Sequence, residues 1–349
     1  MSDRADKAVL RLAIGLGLAV LIAYGLALPL PYLVCLMAVM VLCRPGPPIP
    51  LVKGALLALG LAALLALGVL MVPLLENYAL AGILLTAAVL YGTFFGGLYR
   101  GNPLTPILVV SFTLIPVAGV AAQALVPMIS ATLAVGIATG VLVDGLSHAF
   151  FPDPPGPAGR DEAPPPVDRE TASWIALRAT LIVMPVFVLA LTDPSFYLAA
   201  IMKTVSLGQQ AGSTDARSAG RELVGSTLAG AGMAILVWFG LALWPSLWML
   251  TLMLTAAALW AGVRIFGLRA TAFSPSFWSN ALTTMLILLG PAIEDSASGK
   301  DVVSASAGRI ALYVGVALYA WATVRVLERW RASRSEALFF GRGRNGGNT

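Results

Sequence analysis

Runs of about 20 apolar residues recur along the whole of this 349-residue chain. A helix of that length crosses a hydrocarbon core about 30 Å thick, at about 1.5 Å per residue. Charged residues make up 11% of the chain and hydrophobic residues 58%, whereas about 25% of a soluble domain is charged. The sequence therefore predicts an all-α polytopic membrane protein and excludes most soluble classes, and we expect no nucleic acid as a partner.

About twelve transmembrane helices are predicted, six on each side of a proline-rich stretch that favours a flexible linker. The predicted segments are residues 8–28, 30–43, 52–72, 77–98, 104–125, 128–150, 171–191, 194–210, 219–243, 246–266, 271–291 and 302–325. The chain then divides into a first six-helix repeat (1–150), a cytoplasmic linker (151–170), a second six-helix repeat (171–325) and a basic cytoplasmic tail (326–349).

The basic residues orient these helices. The chain has 22 Lys plus Arg and a net charge of +5, and all of these cations except Lys203, Lys300 and Arg309 lie at or beyond helix ends on one side. Cytoplasmic loops carry such an excess. We therefore expect both termini to be cytoplasmic.

The two halves resemble each other in sequence. The segment 85–91 (LTAAVLY) matches 254–260 (LTAAALW), and 29–33 resembles 194–198, with Tyr32 opposite Tyr197. Because each half holds an even number of predicted helices, the halves are expected to be parallel repeats. In transporters of this kind the substrate site lies near the midplane between the repeats.

Two cations are predicted deep inside the membrane, where a charge is expensive and is a functional candidate by default. Lys203 lies near the middle of the eighth segment and Arg309 at a similar depth in the twelfth, so we expect them to form one anion site. Ser206 and Gln210 continue a polar stripe from Lys203, with Thr204 beside it. The alternative is a structural role, with both cations bonded to backbone carbonyls.

Three more residues are weaker candidates for substrate binding. Arg178 lies inside the inner end of the seventh segment, where a side chain can also snorkel to the headgroups. Tyr197 and Tyr313 offer ring faces for a planar substrate. Their alternative role is anchoring at the membrane interface.

Asp144 and His148 are the candidates for proton coupling. They lie four residues apart on one face of the sixth segment, and His148 is the only histidine in the chain. A buried carboxyl beside an imidazole can carry a proton. The alternative is a polar pair that faces cytosolic water at a helix end.

The sequence contains no phosphate-binding loop, no HExxH motif and no cluster of cysteine and histidine. Neither ATP hydrolysis nor metal catalysis therefore has visible residues, and we expect no cofactor, no metal and no enzymatic activity. The glycine pairs Gly92/Gly96 and Gly136/Gly140 have a spacing that permits close helix contact, within the chain or in a homodimer.

The segment 217–230 (RSAGRELVGSTLAG) opens the ninth helix directly after the second span of its half. Together with the six-helix repeat, it resembles the fusaric acid resistance and aromatic acid exporter family. The resemblance implies an inner-membrane efflux subunit of the p-hydroxybenzoic acid type in bacteria, which works with a periplasmic adaptor. Many members have a large cytoplasmic domain that this chain lacks, so the resemblance is to a compact form.

The residues and the resemblance both predict an anionic substrate, and the resemblance implies proton-driven export of small aromatic carboxylic or other organic acids. A passive organic-anion channel would use the same cations. A membrane-embedded lipid-linked transferase that uses Asp144 and His148 is the third possibility.

Overall fold

The computed structural model describes residues 2–44, 47–101, 105–153, 167–213, 218–299 and 301–345, and their regular structure is entirely helical. The helices are α1 (Ser2–Gly25), α2 (Pro31–Leu42), α3 (Leu51–Val69), α4 (Val72–Asn77), α5 (Ala79–Arg100), α6 (Thr105–Ala121), α7 (Leu125–Phe150), α8 (Arg169–Thr192), α9 (Pro194–Ser213), a π-helical turn (Gly220–Val224), α10 (Gly225–Leu243), α11 (Leu247–Ile265), α12 (Pro275–Ala297) and α13 (Val302–Asn345).

Nine helical segments in the described ranges are long and apolar enough to cross a membrane, which makes the chain a multi-pass membrane protein. The apolar helices α2 and α6 are shorter than that. Helix α9 carries Lys203 and the polar stripe. Every predicted segment is helical, but the count of twelve spans and the cytoplasmic position of both termini remain predictions.

Three predicted boundaries are wrong. The third predicted segment, 52–72, corresponds to α3, which ends earlier, at Val69, and a short additional helix, α4, follows after residues 70–71. Helix α12 ends at Ala297 rather than near residue 291, so Glu294 and Asp295 belong to a helix and not to an outer loop. Helix α13 continues from the last predicted span through the predicted basic tail to Asn345. Most of the linker, residues 154–166, lies outside the described residues.

Capping residues explain where two central helices begin. Asp168 accepts hydrogen bonds from the backbone N–H groups of Glu170 and Thr171 at the start of α8. These bonds stabilise the carboxylate, and they lower the pKa of Asp168. Ser274 caps α12 in the same way, and Pro275 occupies the first helical position.

Corresponding helices make corresponding contacts in the two halves. Helix α1 packs on α11 and α8 packs on α5, while α3 packs on α6 and α10 packs on α12. Helix α2 contacts α7 and α12, and α9 contacts α13 and α6. Counting from α1 and from α8, and leaving out the short α4 and the π-helical turn, these are the same positions in each half. Below, the inner end of a helix is the end that the cations predict to be cytoplasmic, and the outer end is the opposite one.

The glycine pairs differ in their surroundings. A Cβ at Gly136 or Gly140 would press on Met37 or on the backbone at Ala38, so α7 packs closely against α2. A Cβ at Gly92 or Gly96 would have no neighbour within 4 Å among the described residues. Helix α2 is thereby held between α7 and α12, and ten of its twelve residues are buried.

Candidate functional site

A cavity of about 340 Å³ lies where α2, α6, α9 and α12 meet. These four helices are two corresponding pairs, α2 with α9 and α6 with α12. The cavity extends from Cys43, Gln210 and Ser276 near the inner helix ends to Ile287 deeper in α12. It therefore lies between the two halves of the chain, on the predicted cytoplasmic side.

The two sides of the cavity differ in chemistry. The side formed by α2 and α6 is apolar: Leu36, Met37, Val39, Met40, Cys43, Pro106 and Val110. The side formed by α9 and α12 carries hydroxyl and amide groups: Ser206, Gln209, Gln210, Ser276, Ser279, Asn280 and Thr283. The cavity thus matches an amphipathic ligand, with its apolar part against the first half and its polar part against the second.

Lys203 lies directly behind the polar side. Its side chain is completely buried, and its Nζ donates to Thr284 Oγ1 at 2.7 Å and to Asn280 Oδ1 at 3.4 Å. Lys203 itself does not line the cavity, but Asn280 does. The Lys203 amine is therefore separated from the cavity by one layer of side chains.

Asn280 is the centre of this hydrogen-bond network. Its Oδ1 accepts from Ser206 Oγ at 2.6 Å as well as from Lys203, and its Nδ2 donates to Ser226 Oγ at 2.6 Å. Among the described residues no carboxylate lies within 4 Å of the Lys203 amine. An ammonium group has three donors, and the two bonds to Asn280 and Thr284 use two of them. A buried charge without a counter-ion is costly, and an anion in the cavity would reduce that cost.

The rest of the predicted polar stripe divides into two groups. Ser206 and Gln210 line the cavity, as their spacing from Lys203 suggests. Thr204 is also buried, but its hydroxyl donates to the carbonyl of Ala200 within α9 and does not reach the cavity. Tyr197 is half-buried near the outer end of α9 and does not line the cavity.

Arg309 does not join Lys203 in one anion site, which corrects the sequence-based expectation. Its guanidinium pairs with the Asp295 carboxylate at 2.6 Å. Asp295 lies eleven residues beyond Thr284 on α12, which is about 16 Å along the helix axis. The error came from assigning Asp295 to a loop, which left Arg309 without a visible counter-ion.

Tyr313 lies beside Arg309, one turn along α13, and also outside the cavity lining. It is 1% exposed, and its hydroxyl has no hydrogen-bond partner in the described part of the chain. Electrostatic interactions link it to Arg309 and to Tyr32. Tyr313 therefore belongs to a polar group of residues at the outer end.

Arg178 belongs to a different contact, at the inner end of α8. Its Nη1 donates to Glu328 Oε1 at 2.9 Å, and Trp174 Nε1 donates to the same oxygen at 3.1 Å. Trp174 also stacks on Trp330, with the ring centroids 5.8 Å apart. Arg178 thus connects α8 to α13, and neither Arg178 nor Glu328 lines the cavity.

Asp144 and His148 are close together, as predicted. His148 Nδ1 lies 3.2 Å from Asp144 Oδ1 and 2.9 Å from the Asp144 carbonyl oxygen. The other ring nitrogen, Nε2, is buried without a partner among the described residues. The pair is on α7, which packs along α2 and so contacts one wall of the cavity from behind.

Sequence reasoning missed Asn280, Thr284, Ser226 and Glu222. Asn280 and Thr284 stand four residues apart in an apolar segment, which marks one polar helix face. Glu222 is 5% exposed, and its carboxylate accepts from Ser274 Oγ at 2.6 Å and from Ser274 N at 3.3 Å. An acidic group at a helix N-terminus is favourable, so Glu222 fixes the start of α12.

A second cavity, of about 610 Å³, lies near the outer ends of α10, α11 and α12. Apart from Tyr24, Ser246 and Ser296, its lining is apolar, and it contains none of the predicted site residues. In the described residues no group of three or more His, Cys, Asp or Glu could hold a metal ion. The cavity beside Asn280 is therefore the candidate site.

No known protein family, curated protein or solved structure matches this chain. The resemblance to the aromatic acid exporters remains a prediction. Of the segment that carries it, residues 220–224 form the π-helical turn and Gly225–Gly230 begins α10, while Arg217 lies outside the described residues. The function has to be argued from the cavity itself.

Proposed function

We propose that the chain is a secondary active exporter of small organic acids, chiefly aromatic carboxylic acids, in a bacterial inner membrane. The observation that carries the proposal is the cavity between α2, α6, α9 and α12, with Lys203 buried behind its polar side. Corresponding helices of two repeats surround it, and transporters place their substrate sites at such a junction.

The lining supports the substrate class. An aromatic ring would contact methionine and aliphatic side chains on α2 and α6. A carboxylate would face the amide and hydroxyl groups of Gln210, Ser206 and Asn280. The charge of Lys203, directly behind Asn280, favours an anion over a neutral or cationic ligand.

Proton coupling is assigned to Asp144 and His148 in this proposal. They do not line the cavity, so a proton bound there would not compete with the substrate directly. Helix α7 carries both residues and packs on α2, where Gly136 and Gly140 allow close contact. A shift of α7 would therefore move the apolar wall of the cavity. A periplasmic adaptor and a homodimer belong to the same proposal.

Native Cys43 gives a direct test of ligand binding, because it lines the cavity. The chain has two cysteines, so Cys35→Ala leaves Cys43 as the only reactive thiol. We expect hydroxybenzoate to slow maleimide labelling of Cys43 at least fivefold, whereas phenol, its neutral analogue, protects much less.

Lys203→Met keeps the side-chain length but removes the charge, and it should abolish protection by hydroxybenzoate. Lys53→Met is the matched control, because Lys53 is exposed at the start of α3 and its replacement should leave protection unchanged. Equal protection in the Lys203 variant would remove the proposed site. Absence of protection in the parent protein would contradict binding of this ligand class.

A further inference from the structure

One face of α12 leads from the cavity toward the outer end of the helix. The cavity residues Ser276, Asn280, Thr283 and Ile287 follow each other at intervals of three or four, which places them on a single face. The next positions on that face are Gly290 and Glu294. The cavity lining ends at Ile287, so whatever closes the path on the outer side lies near Gly290.

Tyr32 of α2 occupies that place. A Cβ at Gly290 would fall on the Cβ and ring of Tyr32, so only glycine lets the two helices approach this closely. Tyr32 is 7% exposed, and its ring lies against Gly290, the next position on that face after Ile287. We call this contact the Tyr32 seat.

A buried polar group surrounds the Tyr32 seat on its outer side. It contains the Arg309–Asp295 ion pair, whose side chains are 19% and 9% exposed. Electrostatic interactions link Tyr32 to Arg309 and to Glu294. The buried Tyr313 hydroxyl, which has no partner among the described residues, lies in the same group. The ion pair connects α12 to α13 five residues beyond Gly290, which is about 7.5 Å along the axis of α12.

The backbone on both sides of the Tyr32 seat is suited to movement. In α12, Gly290 is followed by Pro291, which has no N–H to donate to the carbonyl of Ile287. In the connection before α2, Ala27 and Leu30 have φ values of 49° and 46°. Left-handed conformations cost energy for residues with a side chain and are common where a protein switches between states.

We propose that the Tyr32 seat is the outer gate of the cavity and that the Arg309–Asp295 ion pair holds it shut. Opening moves the tyrosine ring away from Gly290 and separates α12 from α13. The closed gate leaves the cavity accessible from the inner side alone. This inference rests on the proposed function, because it names the exit of the proposed transport path.

The test measures access to the cavity and needs no transported ligand. Thr283→Cys, in a chain without Cys35 and Cys43, places a thiol in the cavity just inside Ile287. A membrane-impermeant maleimide is added to the outer side of intact cells. We expect slow labelling in this parent and at least tenfold faster labelling after Asp295→Asn or Tyr32→Ala. Glu76→Gln is the control, because Glu76 is an exposed acid near the outer end of α4.

A charge swap separates gating from misfolding. Asp295→Arg combined with Arg309→Asp restores the ion pair, so it should return labelling to the parent rate, whereas general unfolding would not be reversed. Labelling at the parent rate in both Asp295→Asn and Tyr32→Ala would overturn the gate. The labelling of Thr283→Cys reports access to the cavity and not transport. The gate proposal can therefore be refuted while Cys43 protection by hydroxybenzoate persists. Loss of that protection with unchanged gating would instead refute the proposed function alone.

Discussion

Replacing Asn280 by aspartate tests whether Lys203 sets the charge preference of the cavity. In the native protein, Asn280 Oδ1 lies 3.4 Å from Lys203 Nζ and forms part of the cavity wall. Asn280→Asp has nearly the same shape but places a negative charge between Lys203 and the ligand. The cavity wall then presents a carboxylate where it had an amide.

The size of the effect follows from Coulomb's law. At an effective dielectric constant of about 20, two unit charges about 4 Å apart interact by about 4 kcal/mol. A ligand carboxylate against the new aspartate would lose up to that amount, and every 1.4 kcal/mol is about a factor of ten in affinity. Partial screening reduces the loss, so we expect hydroxybenzoate to bind about 100- to 1000-fold more weakly.

Equilibrium binding to the purified protein measures this change with three ligands of similar size. Hydroxybenzoate should lose affinity, benzylammonium should gain it, and phenol should stay within about threefold of the parent value. Phenol is the control, because a misfolded cavity would lose all three ligands. An anion affinity within threefold of the parent, with phenol unchanged, would refute the role given to Lys203.

Three further predictions concern packing and coupling. Gly230→Ala should lower the stability in detergent by about 1–3 kcal/mol, because its methyl group would lie 2.5 Å from the Ala281 carbonyl oxygen. Thermal unfolding measures the loss, and Gly232→Ala is the control, since no atom of the described part of the chain lies within 4 Å of a Cβ there. Arg178→Leu and Glu328→Gln should be coupled by about 0.5–3 kcal/mol in a double-mutant cycle, because their charges meet at 2.9 Å; additive effects would contradict the α8–α13 contact. Asp144→Asn and His148→Gln should abolish proton-driven uphill efflux but keep Cys43 protection, and continued uphill efflux in both would move proton coupling elsewhere.

Much of the helical architecture was predictable because its cause is local. An apolar run of about 20 residues can satisfy its backbone polar groups in a membrane only as a helix, whatever its neighbours are. The burial of Lys203 was predictable for the same reason, since its position in the segment fixes its depth. The side of α9 that faces the cavity followed from the spacing of Lys203, Ser206 and Gln210.

The partners of the buried cations were not predictable, because they depend on contacts between distant helices and on exact helix ends. Ending α12 six residues too early placed Asp295 in a loop and left Arg309 without its counter-ion. Asn280 belongs to a different helix from Lys203, 77 residues away in sequence. No periodicity within one segment reports such a pair, so the sequence could not show that Arg309 pairs with Asp295 instead of lying beside Lys203.

Uphill transport by the purified protein tests the proposed function most directly. Proteoliposomes that contain only this chain are loaded with a buffer that is more acidic than the medium, and equal concentrations of hydroxybenzoate are placed on both sides. We predict that the protons drive net movement of hydroxybenzoate against its developing gradient and that Lys203→Met abolishes this movement. Exchange of radiolabelled hydroxybenzoate without net accumulation would instead indicate a passive channel, and the absence of any exchange would contradict transport of this ligand class.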